Sequence, residues 1–303
     1  MRSTKEAARG KWRGILLALG ADERSLSGKH GPCPFCEGRD RFRWDNKDGS
    51  GSFICSHCGA GDGFEFLKRL KGWAFPEAAR EIDRVVGNVR PEPVQKRMDD
   101  RERVEMLNRL WVGSTPITPF DLAGRYLAGR GLPMPQNFNC IRFTDRCPVP
   151  GGGYAPAMIA MVSKADGSPA NLHRTFLGPN GKADMEDPRA TMPGVLPDGC
   201  AVRLSMHGGR LGIAEGIETA LKATQRFTMP VWAALNATML AKWIPPIGVE
   251  EVVIFGDNDG NYTGQAAAYA LARRLSTLPG RALAVRVEIP KRPGLDWADE
   301  DAA

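Results

Sequence analysis

Four cysteines in two pairs constrain this chain more than any other feature. Cys33 and Cys36 have two residues between them, as do Cys55 and Cys58, and residues 37–54 separate the pairs. This spacing is that of a structural zinc site, in which four thiolates close a tetrahedral shell. Seven cysteines are an odd number and four of them are paired this tightly, which argues for metal in a reducing compartment over a disulfide framework. The segment is expected to fold as a zinc ribbon whose metal supplies much of its folding free energy, because so short a stretch builds little core. A complete cysteine set leaves the nearby His30 and His57 without a ligand role. Cys140, Cys147 and Cys200 have no ligand-like spacing and read as buried thiols.

Between the knuckles runs "RDRFRW". In a strand, Arg39, Arg41 and Arg43 share one face, with Asp40, Phe42 and Trp44 on the other. Arginines supply phosphate contacts, and flat aromatic rings such as Trp44 stack unpaired bases. In the second reading Phe42, Trp44 and Phe53 form the ribbon's small core and the arginines only solvate it. Charge favours a polyanion partner. Residues 1–97 hold 19 Lys and Arg against 13 Asp and Glu, so the whole formal excess of +6 lies there and the rest is balanced.

The 303 residues allow about two domains at roughly 100–200 residues each. Residues 3–20 are expected as one short amphipathic helix stopped by Gly20, and two helices after Cys58 are expected to cover the metal module. A zinc-ribbon domain with its flanking helices is thus expected over 1–88. The charged, proline-containing stretch 89–100 reads as a linker. Residues 101–206 are expected as a separate region: helices up to Gly129, then short strands broken by Gly and Pro over 140–206. From Leu211 strands and helices alternate regularly through 207–303, which implies βαβ units and a mainly parallel sheet covered by helices, with a site at the carboxyl ends of its strands. No leader pattern and no membrane-length apolar run is present, so a cytoplasmic location and no membrane partner are expected.

Carboxylates gather at those strand ends. Glu215 in "AEGIETA" closes one strand, Asp257 and Asp259 in "VVIFGDND" follow another, and Asp296 and Asp299 in "GLDWAD" follow the last. Carboxylates at i and i+2 with a third from a neighbouring strand suit an oxygen-rich Mg2+ site for metal-assisted phosphoryl chemistry. Glu218, on the helix after Glu215, either supports that site or lies on a solvated face.

Together these motifs resemble the Toprim primases of mobile elements, the satellite-phage alpha-type group and its plasmid and prophage relatives. "CPFC", "DRFRW" and "CSHCGAGDG" resemble their zinc-binding domain, and "AEGIETAL", "IFGDNDGNYTGQAAA" and "GLDWAD" their Toprim core; "RYLAGRGL", "HRTFL" and "AVRLS" match more loosely. The resemblance implies an α/β Toprim-like domain preceded by a small α+β region and an N-terminal zinc ribbon. It implies a DNA primase, a nucleotidyltransferase that makes short RNA primers from ribonucleoside triphosphates on single-stranded DNA. Glu215, Asp257 and Asp259 would hold catalytic Mg2+, or Mn2+, with Asp296 as helper. His173 and Arg174 would contact template or nucleotide. Two departures stand out. Many relatives carry Asp four residues after the Toprim Glu, where this chain has Thr219, which bears on the number of metals. No G-x-x-x-x-G-K-[ST] loop occurs, so unwinding is expected from a separate helicase. A Toprim nuclease and a non-catalytic single-strand-binding accessory are the alternatives.

Overall fold

The computed structural model describes residues 3–91, 99–137 and 139–299. Its contacts divide the chain into two units, Met1–Asp99 and Asp100–Ala303. Residues 92–98 of the expected linker lie outside the described residues.

In the first unit, the single helix expected over residues 3–20 is two. Helix α1 (Thr4–Ala8) opens with a reciprocal cap between Ser3 and Glu6, and α2 (Trp12–Ala18) follows a break at Gly10, whose φ of +75° ends α1 and whose amide donates to the Gly49 carbonyl. The ribbon strands β1 (Phe42–Trp44), β2 (Phe53–Cys55) and β3 (Gly59–Gly61) pair antiparallel in that order. "RDRFRW" is therefore strand only in its second half, because Arg39 and Asp40 form a turn. Helices α3 (Gly63–Lys71) and α4 (Phe75–Val85) close the unit. Phe42, Trp44, Phe53, Phe66 and Leu67 are buried together with Trp12, Ile15, Leu16 and Ile82. The ribbon thus shares a real core with its helices, more than its own length predicts. That packing is close enough to require glycine at 63, where an added Cβ would lie 2.1 Å from the Trp12 ring.

The second unit begins with α5 (Asp100–Val112), β4 (Thr115–Pro116) and α6 (Leu122–Gly129). The strands expected as short pieces over 140–206 are long, with Gly151–Gly153 and Gly167 in the turns between them: β5 (Ile141–Pro148), β6 (Tyr154–Ser163) and β7 (Pro169–Gly178) form an antiparallel meander. The turn after β7 leads to β8 (Gly181–Lys182), then β9 (Arg189–Thr191) and β10 (Ala201–Val202). The alternating part follows as expected: β11 (Arg210–Ala214), α7 (Ile217–Phe227), β12 (Val231–Ala233), α8 (Ala237–Lys242), β13 (Glu251–Phe255), α9 (Thr263–Ser276) and β14 (Ala284–Glu288).

Strands β14, β13, β11 and β12 lie side by side and parallel, and β10 joins them antiparallel to the meander, so among the described residues one eleven-stranded mixed sheet runs through the unit. The chain steps from β11 to β12 on one side, then back across β11 to β13 and on to β14. Right-handed crossovers therefore put α7 on one face and α8 and α9 on the other. Leu211, Ile213, Val253, Phe255, Leu221, Leu240 and Leu271 are buried in this core.

Candidate functional site

The reversal of strand order at β11 opens a crevice beyond the carboxyl ends of β11 and β13, the place where open parallel sheets bind ligands. Glu215 follows β11 directly. Asp257 and Asp259 follow β13, and Asp296 comes from the loop after β14. All four line one cleft of about 720 Å³. The loops that carry them are tied together. Asn258 donates its side-chain amide to the Pro290 carbonyl at 2.7 Å and exchanges backbone bonds with Gly294 and Leu295, which holds the Asp296 loop against the Asp257 loop. Gln265 donates to Asn258 Oδ1 and to the Asp259 carbonyl, and Asp259 Oδ2 accepts the Gly264 amide at 2.8 Å. A Cβ at Gly264 would sit 2.7 Å from the Asp257 carbonyl, so the start of α9 can lie against this loop only as glycine.

The carboxylates repel one another. Burial first, then Glu215, Asp296 and Asp259, push the Asp257 carboxyl up to about 7. Glu215 is raised by burial and by Asp259, and Asp296 by burial and by Asp299. Asp257 Oδ1 is buried without a hydrogen-bond partner among the described residues. An orphaned carboxylate oxygen inside a ring of like charges is what a hard divalent cation would relieve, and this all-oxygen donor set suits Mg2+. The carboxylates stay spread around the cleft: among the described residues only the four cysteines bring all their donor atoms within 4.8 Å of one another.

Opposite the acids stand cations outside the expected set of site residues. Arg189 of β9, Lys182 of β8 and Arg130 after α6 line the same cleft. Arg189 is exposed and has no ion-pair partner among the described residues, Lys182 pairs with Glu218 at 3.0 Å, and Arg130 pairs with Asp299. No periodicity marks these residues in the sequence; sheet pairing brings Lys182 and Arg189 here, and the end of α6 brings Arg130. Glu218 is not on a solvated face. It is 5% exposed and accepts the Tyr126 hydroxyl at 2.7 Å. Burial opposes its charge, but Lys182 and Tyr126 outweigh it and hold its carboxyl down at about 2. Thr219 also lines the cleft and brings no charge.

His173 and Arg174 part company, as neighbours in a strand must. His173 lines the cleft, buried, with burial as the main force lowering its pKa to about 4, so it is neutral near pH 7. Arg174 is 4% exposed on the other face and donates to the carbonyls of Pro148 and Thr191, the latter at 2.7 Å. The expectation that Arg174 contacts template or nucleotide is therefore corrected: its guanidinium holds strands together.

In the first unit, Cys33 Sγ lies 3.8 Å from Cys58 Sγ and Cys36 Sγ 3.9 Å from Cys55 Sγ. Thiolates about 2.3 Å from a tetrahedral zinc stand roughly 3.8 Å apart, so the cage has the right size. Backbone amides of Phe35 and Cys58 donate to Cys33 and Cys55 sulfurs. Arg39 and Arg41 are exposed, while Arg43 already donates to Asp45 at 2.6 Å. Trp44 is 5% exposed and meets Phe66 edge-on, so the expectation that it stacks bases is corrected: the second reading of the aromatics, as core, holds for Phe42, Trp44 and Phe53.

A crevice of carboxylates at the switch point of this sheet, with a separate four-cysteine ribbon, defines a Toprim domain combined with a zinc-binding module. Comparison with known families agrees. A Toprim domain family matches residues 210–301, a zinc-binding domain of primase-helicase matches residues 28–64, and a domain of unknown function (DUF7146) matches residues 101–204. The chain carries a Toprim domain and a primase-type zinc ribbon. The DUF7146 and Toprim matches share a single sheet, which crosses from β10 to β12. Among solved structures, the zinc-binding and RNA polymerase domains of the Aquifex aeolicus primase are 16% identical, with 99% of this chain and 82% of that one covered and a TM-score of 0.43. A DNA primase domain from Pseudomonas aeruginosa is 15% identical (64% and 73% covered, TM-score 0.42), and the E. coli primase catalytic core 16% (64% and 74%, TM-score 0.44). Among the described residues no helix is long and apolar enough to cross a membrane.

Proposed function

We propose that this protein is a DNA primase that joins ribonucleotides on a single-stranded DNA template, in the replication of a phage, plasmid or other mobile element. The observation that carries this reading is the cleft in which Glu215, Asp257, Asp259 and Asp296 face the cations Arg189 and Lys182, in a chain that also has a primase-type zinc ribbon. In the reaction, the 3′-hydroxyl oxygen of one nucleotide bonds to the α-phosphorus of the next. The bond from that phosphorus to the bridging oxygen breaks, pyrophosphate leaves, and the hydroxyl proton passes to water. Glu215, Asp257 and Asp259 would hold Mg2+, with Asp296 beside them; the ion supplies charge stabilisation at the phosphate oxygens. Arg189, exposed and without an ion-pair partner among the described residues, meets the triphosphate, where a planar guanidinium binds phosphate oxygens in pairs. His173, being neutral, can hydrogen-bond substrate without adding charge. Arg39 and Arg41 on the ribbon take template phosphates, and a separate helicase supplies duplex opening.

The test is template-dependent incorporation of labelled ribonucleotides on single-stranded DNA with Mg2+, comparing the native protein with the double variant Asp257→Ala, Asp259→Ala. Short RNA products that vanish in the variant are expected. Strand scission without incorporation would move the assignment to a Toprim nuclease, and neither product to a single-strand-binding accessory.

A further inference from the structure

Three elements meet on one buried carboxylate beside the cleft. Glu218, in the first turn of α7, accepts the Tyr126 hydroxyl of α6 at 2.7 Å and the Lys182 ammonium of β8 at 3.0 Å, both on Oε1. Lys182 follows the turn after β7, and its side chain is 27% exposed, so its ammonium is gripped yet still reaches the cleft that Glu218 itself lines. A lysine head on a four-carbon stem carries three donors and wanders when free. Glu218 takes one donor and leaves two for an anion. Thr219, the next residue, is the uncharged neighbour of Glu215, so the acid one position earlier has turned from the carboxylate ring to the cations opposite it.

We propose that Glu218 is a positioning residue that fixes the Lys182 ammonium at the cleft wall as a contact for the phosphates of a bound nucleoside triphosphate. This rests on the primase reading, which supplies the triphosphate. Both partners share Oε1 of this buried carboxylate, so its charge is turned to a cation and a hydroxyl, and Mg2+ affinity of a Glu218 variant separates this role from metal ligation. Its two partners explain why acid is needed: a neutral amide at 218 would still accept from Tyr126 but would release Lys182.

The experiment titrates the full-length, zinc-loaded protein with a fluorescently labelled GTP in the presence of Mg2+, and measures KM and kcat for primer synthesis alongside. Glu218→Gln and Lys182→Met should each weaken GTP binding and raise KM about tenfold, the scale of one charge-assisted hydrogen bond, with kcat moving less than about twofold. The double variant should be no worse than either single one, because the two residues act as a unit. Lys182→Arg should restore most of the affinity, since a single point contact does not demand a lysine. Wild-type GTP affinity in a folded Glu218→Gln protein, losses that add in the double variant, or a loss of Mg2+ affinity in Glu218→Gln would overturn the positioning role while leaving the primase reading intact. A wild type that binds no triphosphate would remove the substrate, and both proposals would fall together.

Discussion

Asp257 and Glu218 lie in neighbouring parts of one cleft and respond to acid in opposite senses. Unfolded carboxyls titrate near pH 4, whereas folded Asp257 sits at about 7. Its contribution to stability is therefore complete below the unfolded value and is lost as pH rises through about 7. The metal-free protein should melt higher at about pH 5.5 than at about pH 7.5, and Mg2+ should raise the melting temperature most at the higher pH, with proton release measurable by calorimetry. Asp257→Asn should stabilise the metal-free protein at pH 7.5 by about 1–2 kcal/mol and abolish the Mg2+ response. Glu218, held at about 2, works the other way: its contribution is present above the unfolded value and lost only as pH falls through about 2. On the ribbon, residue chemistry separates two roles that look alike in sequence. Trp44→Ala should cost about 3–5 kcal/mol, because its ring is core. Arg39→Ala and Arg41→Ala, being exposed, should change stability by less than about 0.5 kcal/mol, weaken single-stranded DNA binding, and reduce the slope of affinity against salt by about one phosphate contact each.

The ribbon shows how elements depend on their staples. Its three strands are each three residues long, too short to persist alone, and two cysteines, Cys33 and Cys55, are themselves part of the buried cluster. Stripping zinc with a chelator should melt β1–β3 and release the aromatic packing around Phe42, Phe53 and Phe66, seen as loss of near-ultraviolet circular dichroism, while the Toprim sheet keeps its signal. Gly63→Ala should have a related effect without touching the metal, since the added methyl drives into Trp12; a melting temperature lowered for the ribbon transition alone is expected. At this scale the sequence was legible for α7, whose span from Ile217 to Phe227 matches its apolar periodicity. It was misleading for residues 3–20, where a tertiary hydrogen bond to Gly49 decided that one helix becomes two.

Over the whole molecule, the continuous sheet is the feature with the largest mechanical consequence. The β10 strand is only two residues long, yet it bonds to β12 on one side and β6 on the other. A chain cut between residues 206 and 207 should lose the β10–β12 pairing while β10 stays with β6, and the cut products should lack the cooperative melting transition of residues 100–303; circular dichroism and calorimetry on the fragments check this.

The sequence by itself determined the zinc cage, the order of strands and helices after Leu211, and the acidic residues at strand ends. Each of these is local: a spacing, a periodicity, or a residue placed just past a strand. Only the tertiary structure decided which charges face which. Arg189 and Lys182 come from segments with no motif and reach the carboxylates because β7 pairs with β8 and β9 beside the cleft, while Arg130 reaches it from the end of α6. His173 and Arg174 are adjacent in sequence and differ in role because a strand turns them to opposite faces. Trp44 looked available to a nucleic acid until the helices around the ribbon enclosed it. Local patterns say what a residue is able to do, and burial and pairing across long separations, which no local pattern encodes, select which of those things it does.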